Sequence, residues 1–175
     1  NIELDALDGN VALKPVVFST YGLGRATINT TVTNKCGFKA TNLQGVHLRN
    51  LVFKGPGNGT QKDIDGILFF TDKPSGYLSN IALTNVEVFG FGFCGMRFYS
   101  SWTATVKAGY RGVRIDSCSV HDCRENGIVS FAYDDQTTNF YHHRDFQIRN
   151  TEVYNITGYA AGSHKGSGIV LSHID

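Results

Sequence analysis

The sequence predicts an all-β solenoid of about four to five coils, and three observations carry that prediction. First, a strand with Asn or Ser at a bend is spelled four times: Val46-His-Leu-Arg-Asn50-Leu-Val-Phe53, Ile81-Ala-Leu-Thr-Asn85-Val-Glu-Val88, Val113-Arg-Ile-Asp-Ser117-Cys-Ser-Val120 and Phe146-Gln-Ile-Arg-Asn150-Thr-Glu-Val153. Second, a Gly leading a short apolar strand recurs in step with it: Asp65-Gly-Ile-Leu-Phe69, Cys94-Gly-Met-Arg-Phe98, Asn126-Gly-Ile-Val-Ser130 and Ser167-Gly-Ile-Val-Leu171. The bend residues lie 35, 32 and 33 positions apart and the glycines 29, 32 and 41 apart. Third, apolar and polar residues alternate within each phrase, which is the period of a strand and not of a helix.

Each element has its own physical reason. Before the bend, Val46 and Leu48, Val113 and Ile115, and Phe146 and Ile148 occupy alternate positions and are expected to face inward. At the bend a coil must turn a corner, and after Gly, Asn adopts positive φ most readily. Asn at the same corner of successive coils can also hydrogen-bond along the stack. After the bend, Val86-Glu87-Val88, Cys118-Ser119-Val120 and Thr151-Glu152-Val153 place the first and third residues inward and Glu87, Ser119 and Glu152 outward. Val52 is the apolar exception on that outer face. The chain has 20 Gly and 12 Phe, and its many Thr, Val and Ile suit strands and turns.

Bulk properties narrow the classes. A chain of 175 residues with 41% hydrophobic content reads as one domain spanning residues 1–175 with a packed core. With 16 basic and 15 acidic side chains and a net charge of +1, nothing argues for nucleic acid or an anionic membrane surface as partner. No apolar run approaches the roughly 18 residues of a transmembrane helix. No signal peptide is visible in Asn1-Ile-Glu-Leu-Asp5, which does not argue for the cytoplasm because a mature secreted protein also lacks one. Of the cysteines, Cys118 sits at an inward position, so free buried thiols are expected; a Cys118–Cys123 or Cys94–Cys123 disulfide is the other reading. Neither end carries a capping segment, so the domain reads as a fragment of a longer solenoid or as one that self-associates through its uncapped ends.

The Asn-bend and Gly-Ile phrases, together with the opening segment Pro15-Val-Val-Phe-Ser-Thr-Tyr-Gly-Leu-Gly-Arg-Ala-Thr-Ile28, resemble the right-handed parallel β-helix superfamily, the pectate-lyase-like fold. The resemblance covers roughly residues 10 to 175. It implies a right-handed parallel β-helix solenoid, a secreted or periplasmic location, and a polysaccharide as substrate or ligand, with a lyase or glycoside hydrolase activity. A non-catalytic glycan-binding, adhesin or spike-like module, or an inactive fragment, is the alternative. Of the polygalacturonase-type motifs only Asp134-Asp135 has a counterpart; the Gly-His-Gly that should follow is missing.

Function in such an architecture sits on connectors and on outward residues of the strands they flank. The connectors fall at 55–64, 72–80, 100–111, 133–145 and 157–167. Outward residues at equal repeat positions stack into columns: Lys54, Phe89, His121 and Tyr154; Leu68, Arg97, Val129 and Val170; Phe70, Tyr99, Phe131 and Ser172. Their aromatics fit a sugar-stacking groove, and a connector folded back over them is the other reading. A β-elimination needs a base, a cation for the uronate carboxylate and an acid for the leaving oxygen. Arg97, Arg124 and Lys165 are candidates for base or cation, and His121 and Tyr133 for the acid. Hydrolysis needs paired carboxylates, for which Asp134 and Asp135 are candidates; they are also the candidates for a Ca²⁺ site, no other cofactor being indicated, and a solvated turn is the other reading of the pair. Tyr99, Tyr133, Tyr154 and Lys165 are the candidate substrate contacts. His142-His143 and His164 invite a metal reading, but adjacent residues on a strand face opposite ways, and a structural or solvated role is expected.

Overall fold

The structure, a computed structural model, describes residues 1–9, 11–31, 35–59, 64–101, 103, 105, 107–132, 141–158 and 166–174. Strands pair in parallel and wind as a solenoid of about 4 turns, with no helix among the described residues. The first sheet has six strands, in the order β1 (Ile2–Leu4), β4 (Phe38–Thr41), β6 (Ile67–Thr71), β9 (Cys94–Ser100), β13 (Asn126–Phe131) and β16 (Ser167–Leu171). These are the Gly-led phrases with two earlier strands added.

The second sheet bends at the Asn or Ser corner. Before the corner, β2 (Val16–Ser19), β5 (Val46–Lys54), β8 (Ile81–Phe89), β11 (Arg114–Asp116) and β14 (Gln147–Arg149) stack. After it, β3 (Ala26–Asn29), the second halves of β5 and β8, β12 (Ser119–His121) and β15 (Glu152–Tyr154) stack in the same order. The opening segment thus forms an early coil, with β2 and β3 on either side of its loop. A third, short sheet pairs β7 (Ser75–Ser79) with β10 (Lys107–Arg111), and a bridge from Arg111 to Arg144 extends it. The segments 72–80 and 100–111, read from sequence as connectors, therefore contain this face of the coil. Its strands SGYLS and KAGYR are short and Gly-bearing, and Leu78, Ala108 and Tyr110 are their buried apolar residues.

Corner chemistry explains the repeat. Asn50, Asn85, Ser117 and Asn150 all have φ between 47° and 56°, the left-handed region. Gly45, Asn80, Gly112 and Asp145 mark a second corner before each strand, again at positive φ. The Asn85 amide donates to Asn50 Oδ1 at 2.8 Å, one coil below. Ser117 is too short to continue this ladder, and Asp116 replaces it by accepting from the Asn150 amide at 3.0 Å and from Ser117 Oγ at 3.2 Å. The Asn150 hydrogen bond is the main cause holding the Asp116 carboxyl below its usual range. Asn85→Ala is expected to lose this ladder bond and to strain the corner, destabilising the fold by about 2 kcal/mol, with Asn85→Gly much less affected. Urea unfolding of the two variants checks this.

The core is built of columns. Leu48, Leu83 and Ile115 stack in one, Phe53, Val88 and Val120 in another, and all are buried. Phe69 and Phe98 stack face to face with centroids 5.2 Å apart. Four cysteines are free and Cys94, Cys118 and Cys123 are buried, so neither disulfide forms. His142 and His143 are buried too, at 1% and 0% exposure. His143 accepts at Nδ1 from the Tyr110 N–H (3.4 Å), and its Nε2 lies 3.2 Å from the Phe131 carbonyl. Burial pushes its pKa down to about 4. At the far end, the inward-facing Ile169 and Leu171 of β16 are 47% and 38% exposed.

Candidate functional site

The predicted columns are in register and two of them are aromatic ladders, but in the third Leu68 and Val129 are buried, at 7% and 6% exposure. On the first sheet Phe70 stands in register with Tyr99, and Tyr99 with Phe131. Their centroids are 5.5 and 6.0 Å apart. On the second sheet Phe89, His121 and Tyr154 form a closer stack, with centroids 5.0 and 4.7 Å apart and planes within 6° of parallel. Period-two alternation sets all these rings outward, and parallel in-register pairing sets each above the last. Tyr154 is 44% and Phe131 36% exposed, leaving ring edges and faces open to solvent.

Arg97 stands beside the first ladder. Its guanidinium lies over the rings of Tyr99 and of Phe93, 4.9 Å from each centroid. Its Nε is 3.2 Å from Oδ2 of Asp65, an ion pair whose N–H alignment falls short of a hydrogen bond. Asp65 is 1% exposed and also accepts from the Cys94 N–H at 3.4 Å. Burial raises its carboxyl to about 6, and the opposing pull of Arg97 only partly offsets that. A small cavity of about 130 Å³ opens here, lined by Phe93, Arg97, Glu125, Asn126, Val129 and Phe131. Arg97 therefore offers a fixed positive charge next to an aromatic surface. A guanidinium does not release its proton in a protein, so of its two candidate roles only that of cation fits its chemistry.

His121 is held differently. Its Nδ1 is 2.7 Å from Asp122 Oδ2 and its Nε2 3.3 Å from Glu87 Oε1, while Glu87 also pairs with Arg25 at 2.9 Å. Both ring nitrogens face carboxylates, and both ring faces are covered by Phe89 and Tyr154. Proton delivery to a substrate would require one of those contacts to open. His121 and Arg97 lie on different sheets. Arg124 sits in the corner between β12 and β13, where its N–H donates to the Phe91 carbonyl at 3.1 Å. Tyr133, Asp134, Asp135 and Lys165, with His164, lie outside the described residues. Among the described residues no group of three or more His, Cys, Asp or Glu converges as a metal site would require.

Sequence reasoning passed over two features. Asp65 was visible as the single charge in the position before each Gly, where the other coils carry Cys36, Cys94, Asn126 and Ser167. The larger omission is a groove of about 600 Å³ on the outer face of the second sheet, walled by Arg49, Arg111, Arg114 and Arg149. Those arginines are scattered through three phrases and one connector, so only stacking gathers them.

Fold and surface together define a parallel β-solenoid with outward aromatic ladders. Comparison with protein-family models, with curated proteins and with solved structures gives no match.

Proposed function

We propose that the protein is carbohydrate-active and holds a polysaccharide along the outer face of the first sheet. The observation that carries this reading is the Phe70–Tyr99–Phe131 ladder with Arg97 fixed beside it. The C–H face of a pyranose ring is apolar and slightly electropositive, so it packs on the negative face of an aromatic ring. Rings spaced by successive coils suit successive sugar units, and the Arg97 charge suits a uronate carboxylate. Asp134 and Asp135 follow Phe131 by three and four residues in the chain, and they are the proposed carboxylates of a hydrolytic site or of a Ca²⁺ site. Tyr133 or His121 is the proposed acid of a lyase, with Lys165 or Arg124 as its partner and Tyr154 as a further sugar contact. A secreted or periplasmic location accompanies this reading, as does self-association of the solenoid.

The non-catalytic alternative, a glycan-binding module, is favoured by one specific observation: Arg97 and His121 stand on separate sheets. Two assays separate the readings. Lyase action on alginate, pectate or glycosaminoglycans produces an unsaturated product absorbing at about 235 nm, and hydrolysis releases reducing ends. Binding on a glycan array without either signal selects the binding module. In both cases Tyr99→Ala is expected to weaken saccharide binding about tenfold, the worth of one ring contact. Unchanged binding in that variant, or no saccharide bound at all, would remove the proposal. Tyr99 is the better probe than Arg97, whose loss would also strand Asp65.

A further inference from the structure

We infer that the outer face of the second sheet carries a second ligand site, a trench for the carboxylate or sulfate groups of an acidic saccharide. This deepens the proposed function and rests on it. The trench follows from side-chain length at in-register positions. His47, Ala82 and Arg114 stand in one row, and Arg49, Thr84 and Asp116 in the next. The middle coil supplies only Ala82 and Thr84, while the coils on either side supply His47, Arg49, Arg114 and Asp116. Neighbouring strands lie about 4.8 Å apart, so the walls rise about 10 Å from one another. The resulting open space, about 600 Å³, falls within the size range of ligand sites.

Charge says what would fill it. Four arginines and two aspartates line the trench. Both aspartates are already engaged: Asp145 pairs with Arg111 at 3.0 Å, and Asp116 with Arg149 at 3.6 Å. That leaves Arg49 and Arg114, which stand on opposite walls in adjacent rows. The Arg114 guanidinium makes no hydrogen bond or ion pair among the described residues. Arg49 has a single side-chain partner, Nδ1 of His47 at 3.3 Å, and His47 Nε2 lies 2.9 Å from Asn80 Oδ1. Two exposed guanidinium groups without carboxylates, on opposite walls, match a planar carboxylate or a sulfate by paired hydrogen bonds. A nucleic acid presents phosphates of similar chemistry. The net charge of +1 supplies none of the long-range attraction that such a polymer exploits, which favours the saccharide.

Calorimetric titration of the full chain tests this with four probes: an oligogalacturonate, a heparin-derived oligosaccharide, an uncharged oligosaccharide and a thymidine oligonucleotide. The Arg49→Ala/Arg114→Ala variant is expected to bind its acidic saccharide at least about 100-fold more weakly, with binding of the uncharged chain and the melting temperature unchanged. Whichever of the first two probes binds tells uronate from sulfate. Equal binding of acidic saccharides by both proteins would overturn the trench while leaving the ladder reading intact. Arginine-dependent binding that is tighter for the oligonucleotide would overturn the saccharide assignment. If neither charged nor neutral saccharide binds, the trench and the proposed function fall together.

Discussion

Gly95→Ala is expected to destabilise the protein by about 3 kcal/mol, whereas Gly168→Ala should change stability by less than about 0.5 kcal/mol. The two glycines occupy the same position of the repeat, one before each Ile- or Met-led strand. A Cβ on Gly95 would lie 2.8 Å from the Gly127 carbonyl oxygen and closer still to Val120 Cγ1. The same collision, with Val88 and Val153, meets a Cβ on Gly66 and Gly127. None of these three has positive φ, so the requirement is for space and not for an unusual backbone. The start of the first sheet presses against the valine column of the second, and the backbone oxygen of the next coil closes the remaining gap. Neither can move without separating coils. At Gly168 the nearest atom to a Cβ is Val153 Cγ1 at 3.7 Å, an ordinary contact. Urea denaturation followed by circular dichroism gives both values, and equal effects of the two substitutions would show that the Gly column is not set by coil packing.

The second large effect is a pH dependence centred on Asp65. Its carboxyl is raised from an ordinary 3.8 to about 6, chiefly by burial, with the Arg97 ion pair opposing. A carboxyl with a raised folded pKa binds its proton more tightly in the native state than in the unfolded one. Its contribution to stability is therefore fully present below the unfolded value near 3.8 and is lost as pH rises through about 6. The loss is on the order of 3 kcal/mol over that window. Asp65→Asn removes the titration, so the stability difference between wild type and variant should fall by that order from pH 4 to pH 6.5. Parallel pH profiles for the two proteins would refute the assignment. Arg97→Met at neutral pH should be worse than the loss of either partner's packing alone, by about 3 kcal/mol, because it leaves a buried carboxylate without its cation.

Much of the fold was legible in residues 46–53, 81–88, 113–120 and 146–153, because local chemistry forces the same answer in each. Asn at the corner, alternation around it and Gly before the next strand are short-range requirements, and each coil repeats them. The columns Phe89–His121–Tyr154 and Phe70–Tyr99–Phe131 were legible too, because in-register stacking converts a sequence period directly into neighbours in space. The third sheet was not, since β7 and β10 contribute one or two core residues each and take their strand form from the coils on either side.

The sequence by itself determined the coil: which residues bend, which face inward, and how far apart successive copies lie. Those properties depend on backbone freedom and side-chain polarity within about eight residues. Only the tertiary structure decided that Asp65 is buried against Arg97 and that His121 is enclosed by two rings and two carboxylates. It alone gathered Arg49 and Arg114 onto facing walls above Ala82 and Thr84. Burial, pairing and groove shape are properties of neighbouring coils, which lie about 30 residues apart in the chain and about 4.8 Å apart in space.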